Sequence, residues 1–202
     1  MVLSQVFYIG LVALVATQRL FELHRSRRHT AMAHARGRVV HQEPAYIAMV
    51  AVHTAVLLCA PLEVVTLHRR LQPTVAAIAL VALVFAQLMR AWIFRTLGSS
   101  WNTRVVQPVG IVTSGPYRYV RHPNYAIVIL EIAALPLVHG AWLTALIGSI
   151  ANAAVLARRI PLEERVLSRD ETWREAFSGL PRLFPWPRMR RAPARGTRTA
   201  VT

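Results

Sequence analysis

The chain has 202 residues, is 54% hydrophobic and carries a formal charge of +15. Its hydrophobic content and positive mean hydropathy favour a membrane protein over one or two soluble domains. A nucleic-acid-binding protein can be equally basic but does not need long apolar runs, so we expect no nucleic-acid partner. The single cysteine, Cys59, excludes a disulfide framework and a cysteine metal site, and no HExxH zinc spacing occurs, so no metal is expected.

Five apolar runs are long enough to cross or nearly cross a bilayer, at residues 2–18, 45–62, 74–89, 125–138 and 141–157. We therefore predict an all-α, polytopic membrane protein with about five transmembrane helices. Residues 1–185 are expected to form a single membrane domain. Residues 186–202 are rich in arginine and lack apolar periodicity, which predicts a disordered cytoplasmic tail.

The charge distribution predicts the orientation. Residues 19–38 carry six arginines and one glutamate, so the positive-inside rule places this segment in the cytoplasm. The N-terminus is then outside the cell membrane and the C-terminus is cytoplasmic. Arg69 and Arg70, which fall on the outer side, run against the rule.

Only His139 and Gly140 separate the last two apolar runs, which predicts a tight C-terminal helical hairpin. The fourth run has 14 residues and, at 1.5 Å per residue, covers about 21 Å of a hydrocarbon core of about 30 Å. The helix must therefore extend into the polar residues beside this run, or it must be shielded from the lipid. Beyond it, residues 161–177 have apolar side chains at roughly helical spacing, which indicates an amphipathic cytoplasmic helix.

The segment "GPYRYVRHPNY", Gly115 to Tyr125, is unusually polar for its surroundings. If it is helical, Arg118, Arg121, His122 and Tyr125 share one face, with Pro123 tolerated in the first turn. Arginine, tyrosine and histidine are also common in an interfacial belt, so that reading stays open for each residue. Their density beside a glycine and two prolines favours a site.

A second cluster, "RRIPLEE", closes the fifth run. Arg159 and Glu163 are four residues apart and face the same way on a helix. The hairpin returns them to the side of the membrane that holds His122. A simple salt bridge at the end of a helix is the alternative reading.

Glu131 lies in the middle of the fourth run, where an ionisable group suggests function or a buried partner. His53 and Asn152, from neighbouring runs, are its candidate partners. A structural hydrogen-bonding role and a role facing the substrate both remain open for Glu131.

The pair "IVTSGPYRYVRHPNY" and "RIPLEE" resembles the isoprenylcysteine carboxyl methyltransferase family of integral membrane enzymes, over about residues 90–185. The resemblance implies S-adenosylmethionine as cofactor and a lipophilic acceptor reached from the bilayer. Arg159 corresponds to the residue near the acceptor and, with Glu131, is a candidate catalytic residue. The implied cofactor contacts are Gln107, Val109, Gly110, Ile111, Val112, Tyr117, His122, Pro123, Asn124, Tyr125 and Glu163.

The chain departs from the family pattern at Ile127, where glycine is frequent, and in a short loop between Gln107 and Ile111. The whole pattern most resembles the bacterial branch linked to O-methylation of long-chain alkylpyrones and alkylresorcinols. That branch implies functional coupling to a type III polyketide synthase. Carboxyl or phospholipid methylation remains an alternative. So does an NADPH-dependent membrane sterol reductase, because such enzymes carry a similar "RYxRHPNY".

Overall fold

The computed structural model describes residues 2–41, 44–106 and 110–185. The proposed arginine-rich tail, 186–202, lies outside the described residues. The described chain forms six helices, with a single isolated antiparallel bridge between Val40 and Val106. The helices are α1 (Val2–Ala35), α2 (Pro44–Thr66), α3 (Pro73–Leu97), α4 (Pro123–Leu137), α5 (Trp142–Leu167) and α6 (Glu171–Phe177). The all-α prediction is confirmed.

Four helices, α1, α2, α3 and α5, are long and apolar enough to cross a membrane. Large apolar side chains cover their outer surfaces, for example Leu58 and Phe85, which are 66% and 55% exposed. Such a surface needs an apolar surrounding rather than water. The chain is therefore a membrane protein.

The fifth expected span is α4, which has only 15 residues. It packs against α3, α5 and α2. Its buried side chains include Ile127, Val128, Ile132 and Leu135. The expectation that this short helix is shielded is confirmed, because longer neighbours surround it.

The α4–α5 hairpin turns between Leu137 and Trp142. Gly140 has a φ of +72°, a conformation that L side chains rarely adopt. The Ala141 N–H donates to the Pro136 carbonyl at 3.0 Å, closing the turn. The predicted hairpin is confirmed, and it places the end of α5 beside the start of α4.

A buried carboxylate completes the start of α5. Glu63, at the end of α2, accepts hydrogen bonds from the Leu143 N–H at 3.2 Å and the Thr144 N–H at 2.8 Å. Arg69 pairs with the same carboxylate at 2.9 Å. Because a helix begins with unpaired N–H groups, a carboxylate there stabilises it. Arg69 therefore neutralises a buried charge, which gives this arginine a structural role.

The amphipathic helix predicted over 161–177 is two elements in the structure. The first part of this sequence continues α5 through Pro161 to Leu167. The chain then breaks at Asp170, whose carboxylate accepts from the Thr172 N–H at 3.0 Å and caps α6. The Thr172 hydroxyl also donates to it, and these bonds lower the pKa of the Asp170 carboxyl. The prediction of one continuous helix is wrong because this cap starts a new one.

We expect Glu63→Ala to lower the free energy of unfolding by about 2 kcal/mol, because it leaves helix N–H groups and Arg69 unpaired in an apolar place. The measurement is the melting temperature of the purified protein in detergent. Glu175→Ala, at an exposed position of α6, is the control and should change little. Equal melting temperatures for the two variants would contradict the capping role.

Candidate active site

A cavity of about 510 Å³ lies among α1 to α5 and the loop between α3 and α4. Polar side chains line one end, where the loop, the start of α4 and the end of α5 meet. Apolar side chains of α1 and α2 line much of the remaining wall, together with Arg19, Glu22 and Arg90. The polar group includes Arg104, Tyr117, His122, Asn124, Tyr125, Arg159 and Glu163, and the apolar group includes Leu20, Leu23, Leu57 and Leu58.

The two sequence clusters meet at the polar end through a tyrosine hydroxyl. Tyr125, in the first turn of α4, donates its hydroxyl hydrogen to Glu163 Oε2. Arg159 Nε donates to the same hydroxyl oxygen at 2.8 Å. The predicted convergence of "RHPNY" with "RIPLEE" is therefore confirmed. Arg159 and Glu163 face the same way, one turn apart on α5.

Arg159 is almost fully buried, with 3% of its surface exposed. Besides Tyr125, it donates to the Thr103 carbonyl through Nη2 and lies 3.3 Å from Met49 Sδ through Nη1. Its guanidinium carbon lies 6.0 Å from the centre of the Tyr46 ring, a cation–π distance. A positive charge is thus held rigidly in the cavity wall.

The second glutamate of "RIPLEE" has a different task from the first. Glu164 accepts from Arg182 Nη2 at 2.7 Å and lies 3.3 Å from both His122 Nε2 and Arg121 Nη1. It does not line the main cavity. Glu164 therefore anchors the start of α4 to α5, whereas Glu163 faces the cavity.

A C-terminal strap, residues 178–183, lies across the start of α4. The Arg121 and His122 N–H groups donate to the Pro181 and Arg182 carbonyls at 2.9 and 2.8 Å. Arg121 Nε donates to the Leu180 carbonyl at 2.8 Å. These bonds satisfy backbone groups that α4 itself cannot pair. The strap was not predicted from the sequence, because residues 178–183 have no local pattern that indicates such a contact.

The segment before α4 is not one helix. Gly115–Arg118 form a 3₁₀ turn, and α4 begins only at Pro123, its first residue. The prediction that Arg118 shares a face with His122 and Tyr125 is wrong, because the chain changes direction between the two elements and leaves Arg118 exposed. Pro123 does occupy the first turn, as expected.

The 3₁₀ turn points Tyr117 into the cavity. Burial, followed by the negative charge of Glu163, raises the pKa of the Tyr117 hydroxyl. This hydroxyl therefore stays protonated at neutral pH and can donate a hydrogen bond. Asn124 also lines the cavity, and its buried side-chain oxygen has no hydrogen-bond partner among the described residues.

The loop after α3 is held by the second half of α1. Ser26 Oγ donates to Asn102 Oδ1 at 2.7 Å and accepts from the Thr103 N–H at 2.9 Å. His29 Nδ1 lies 2.7 Å from the Trp101 carbonyl. These contacts place the Thr103 carbonyl against Arg159. They were missed, although polar residues spaced along one face of an arginine-rich helix were the available signal.

The remaining predicted cofactor contacts divide into three groups. Gly110, Ile111 and Val112 line the cavity. Pro123 does not, and its role is to start α4. Gln107 and Val109 lie outside the described residues.

Glu131 belongs to a buried ionic cluster at mid-bundle. Its carboxylate pairs with Arg19 at 2.6 Å, with Arg90, and with Gln87 Nε2 at 3.0 Å. Glu22 pairs with the same two arginines at 2.6 and 3.2 Å. Glu131 does not line the cavity, whereas Arg19, Glu22 and Arg90 do.

The expected partners of Glu131 were wrong. His53 instead bonds the Met49 carbonyl, at 2.8 Å from Nδ1. The buried side-chain oxygen of Asn152 has no hydrogen-bond partner among the described residues. The helices that supply the true partners are α1 and α3.

An apolar helical bundle that encloses a buried, tyrosine-bridged pair of charges defines a membrane protein with a candidate active site. The chain belongs to the isoprenylcysteine carboxyl methyltransferase (ICMT) family, whose sequence pattern matches residues 77–169. It is therefore a membrane methyltransferase. The family's methyltransferases use S-adenosylmethionine as their methyl donor.

Two bacterial relatives resemble the chain over most of its length. It is 34% identical over 160 residues to the Bacillus subtilis (strain 168) protein named "Uncharacterized protein YpbQ", covering 78% of this chain and 94% of that protein. It is 29% identical over 159 residues to an "Uncharacterized protein" of Haemophilus influenzae (strain ATCC 51907 / DSM 11121 / KW20 / Rd), covering 77% and 92%. The likeness therefore extends beyond residues 77–169.

Gly115→Ala should disturb the 3₁₀ turn that carries Tyr117. Gly115 has a φ of +58°, and a Cβ there would overlap the Thr96 hydroxyl. We expect a loss of about 1–3 kcal/mol of stability, read as a lower melting temperature. Gly10→Ala, where nothing lies within 4 Å of an added Cβ, is the matched control and should be neutral or slightly stabilising. Equal behaviour of the two variants would rule out a constrained turn.

Proposed function

We propose that the protein transfers the methyl group of S-adenosylmethionine to a hydroxyl oxygen of a long-chain lipophilic acceptor, of the alkylpyrone or alkylresorcinol type. The observation that carries this proposal is the Arg159–Tyr125–Glu163 array. It lies at the polar end of a cavity that apolar side chains of α1 and α2 also line.

The polar end suits the cofactor. Glu163 offers a carboxylate that accepts from ribose hydroxyls, and the unpartnered oxygen of Asn124 is a further acceptor. Tyr117 offers a protonated hydroxyl as a donor. The ring of Tyr125 suits a sulfonium cation. Bound there, S-adenosylmethionine would supply an electrophilic methyl group.

Arg159 is assigned to the acceptor oxygen. Its guanidinium is fixed by Tyr125 and the Thr103 carbonyl, so it stabilises a developing oxyanion without reorganising during the reaction. A hydroxypyrone is already acidic, so it needs only to have its oxygen held in line with the methyl group. A phospholipid amine fits less well, because a buried arginine repels a cationic head group.

The apolar end suits an alkyl chain that enters from the membrane. Leu20 of α1 and Leu58 of α2 both line the cavity and are 67% and 66% exposed. Two side chains that face both the cavity and the surroundings mark a lateral opening between these helices. An alkyl tail can lie there while its head group faces Arg159.

We also propose an orientation in the cell membrane and a source of the acceptor. The arginines of residues 19–38 favour a cytoplasmic position for the polar end, where a water-soluble cofactor is available. The N-terminus is then outside the cell membrane and the C-terminus inside. An acceptor of this class would be supplied by a type III polyketide synthase, to which we propose a functional link.

S-adenosylhomocysteine should raise the melting temperature, because a ligand that binds only the folded protein stabilises it by about 2.7 kcal/mol at 100 times its Kd. NADPH should have no such effect. The measurement is thermal unfolding in detergent with each ligand. Stabilisation by NADPH alone would instead favour a reductase.

Arg159→Ala should lower kcat for an alkylpyrone or alkylresorcinol acceptor by roughly 100-fold or more, the cost of losing a preorganised oxyanion donor. S-adenosylhomocysteine should still bind, because Glu163 and Tyr117 remain. Arg158→Ala is the matched control, since Arg158 is the exposed neighbour on α5. Wild-type turnover in Arg159→Ala would remove this residue from the mechanism.

We assign Glu131 a structural role, because both of its oxygens are engaged and it lies outside the cavity wall. Glu131→Ala should destabilise the protein by about 3–5 kcal/mol, since it leaves buried arginines unpaired. The affinity of the folded fraction for S-adenosylhomocysteine should not change. Glu171→Ala, in an exposed pair, is the control. Normal stability with lost turnover would show instead that Glu131 is catalytic.

A further inference from the structure

One face of α2 forms a wall of the cavity from Tyr46 to Leu58. The residues of this α2 stripe recur every three or four positions, so they lie on the same side of the helix. They are Tyr46, Met49, Val50, His53, Thr54, Leu57 and Leu58.

The surroundings of the α2 stripe change from charged to apolar at His53. Met49, one turn before it, contacts Arg159 at 3.3 Å. Leu57, one turn after it, packs against the apolar core. With about 6 Å of helix rise on each side, His53 lies on the α2 stripe between Met49, which contacts Arg159, and Leu57. A head group that faces Arg159 with its tail along Leu57 must pass this side chain.

The bond to its own helix selects the tautomer of the neutral His53 ring. Nδ1 lies 2.8 Å from the Met49 carbonyl oxygen. A carbonyl oxygen only accepts hydrogen bonds, so Nδ1 carries the hydrogen and Nε2 of the neutral ring is a lone-pair acceptor. Among the described residues no side chain or backbone group bonds to Nε2, and His53 is part of the cavity wall.

We propose that His53 Nε2 accepts the hydroxyl hydrogen of the methyl acceptor, which makes the site suited to weakly acidic, phenol-type hydroxyls. The inference rests on the proposed methyltransferase function. An acceptor O–H bond breaks and its proton passes to Nε2. The oxygen lone pair forms the new bond to the methyl carbon, and the carbon–sulfur pair leaves on sulfur. The imidazolium then returns its proton to water.

The acidity of the acceptor group decides which class of substrate needs His53. A phenol has a pKa near 10, like tyrosine, and is protonated at pH 7, whereas a carboxylic acid with a pKa near 4 is already ionised. A phenol therefore needs a proton acceptor and donates a hydrogen bond to Nε2. A carboxylate has no hydrogen to donate and is repelled by the lone pair. An acidic hydroxypyrone needs His53 least.

If His53 only bonded the Met49 carbonyl, its role would be purely structural. A binding comparison distinguishes this role from that of an acceptor for the substrate hydroxyl. The ligands are a long-chain 5-alkylresorcinol and its dimethyl ether, titrated into protein saturated with S-adenosylhomocysteine. Wild type should bind the free-hydroxyl compound at least about 10-fold more tightly, the effect expected of one hydrogen bond to a buried acceptor. His53→Ala should bring this ratio close to one, with unchanged affinity for S-adenosylhomocysteine.

Further variants keep the test decisive. His53→Phe preserves the ring volume and should lose the ratio in the same way, even if the alanine variant folds poorly. His53→Gln retains an acceptor oxygen and should keep much of the ratio, yet still lose turnover of the alkylresorcinol by roughly 100-fold, because an amide takes no proton. His24→Ala, at an exposed position of α1, should match wild type throughout.

His53→Ala should lower turnover of a long-chain alkylresorcinol more strongly than turnover of a long-chain hydroxypyrone, since the hydroxypyrone ionises without help. An unchanged binding ratio in His53→Ala and His53→Phe overturns the role of His53 while leaving the methyltransferase intact. Equal losses on the pyrone and the resorcinol also overturn it, because they indicate a structural effect. If wild type binds no S-adenosylhomocysteine, the proposed function and this inference both fall.

Discussion

The Tyr125 hydroxyl joins Arg159 to Glu163 and thereby ties the start of α4 to the end of α5. A buried hydroxyl between a guanidinium and a carboxylate has both its donor and its acceptor satisfied, which a low-dielectric place requires. The link can form only if the two helix ends meet. The tight turn between Leu137 and Trp142 makes them antiparallel neighbours, and the strap holds the start of α4 in place.

The same requirement explains the charges deeper in the bundle. Arg19, Glu22, Arg90 and Glu131 come from three helices and cancel as two positive and two negative groups. Unpaired, each would carry a large desolvation cost; together they fix how α1, α3 and α4 sit against one another. Arg19, Glu22 and Arg90 also reach the cavity wall. The cluster therefore supports the chamber that we assign to the acceptor.

The helices could be predicted from the sequence because apolar runs of this length rarely form any other structure. The contact between "RHPNY" and "RIPLEE" could be predicted from the short hairpin. The partners of Glu131 could not be predicted. Arg19 lies 112 residues away in sequence. No pattern in the sequence of α1 indicates that Arg19 packs near α4. The break at Asp170 was missed because the apolar spacing of residues 161–177 suits one helix, whereas a single capping side chain decides otherwise.

The site draws on two parts of the chain. The family pattern matches residues 77–169, which supply the polar end through the turn at Tyr117, the start of α4 and the end of α5. The apolar chamber and His53 come from α1 and α2, which precede that region. In the proposed function the same groups bind the cofactor whatever the acceptor, whereas the acceptor contacts α1 and α2 first. A change of acceptor can therefore arise from the first two helices without disturbing the motif, so the α2 stripe is the place where relatives with different acceptors should differ.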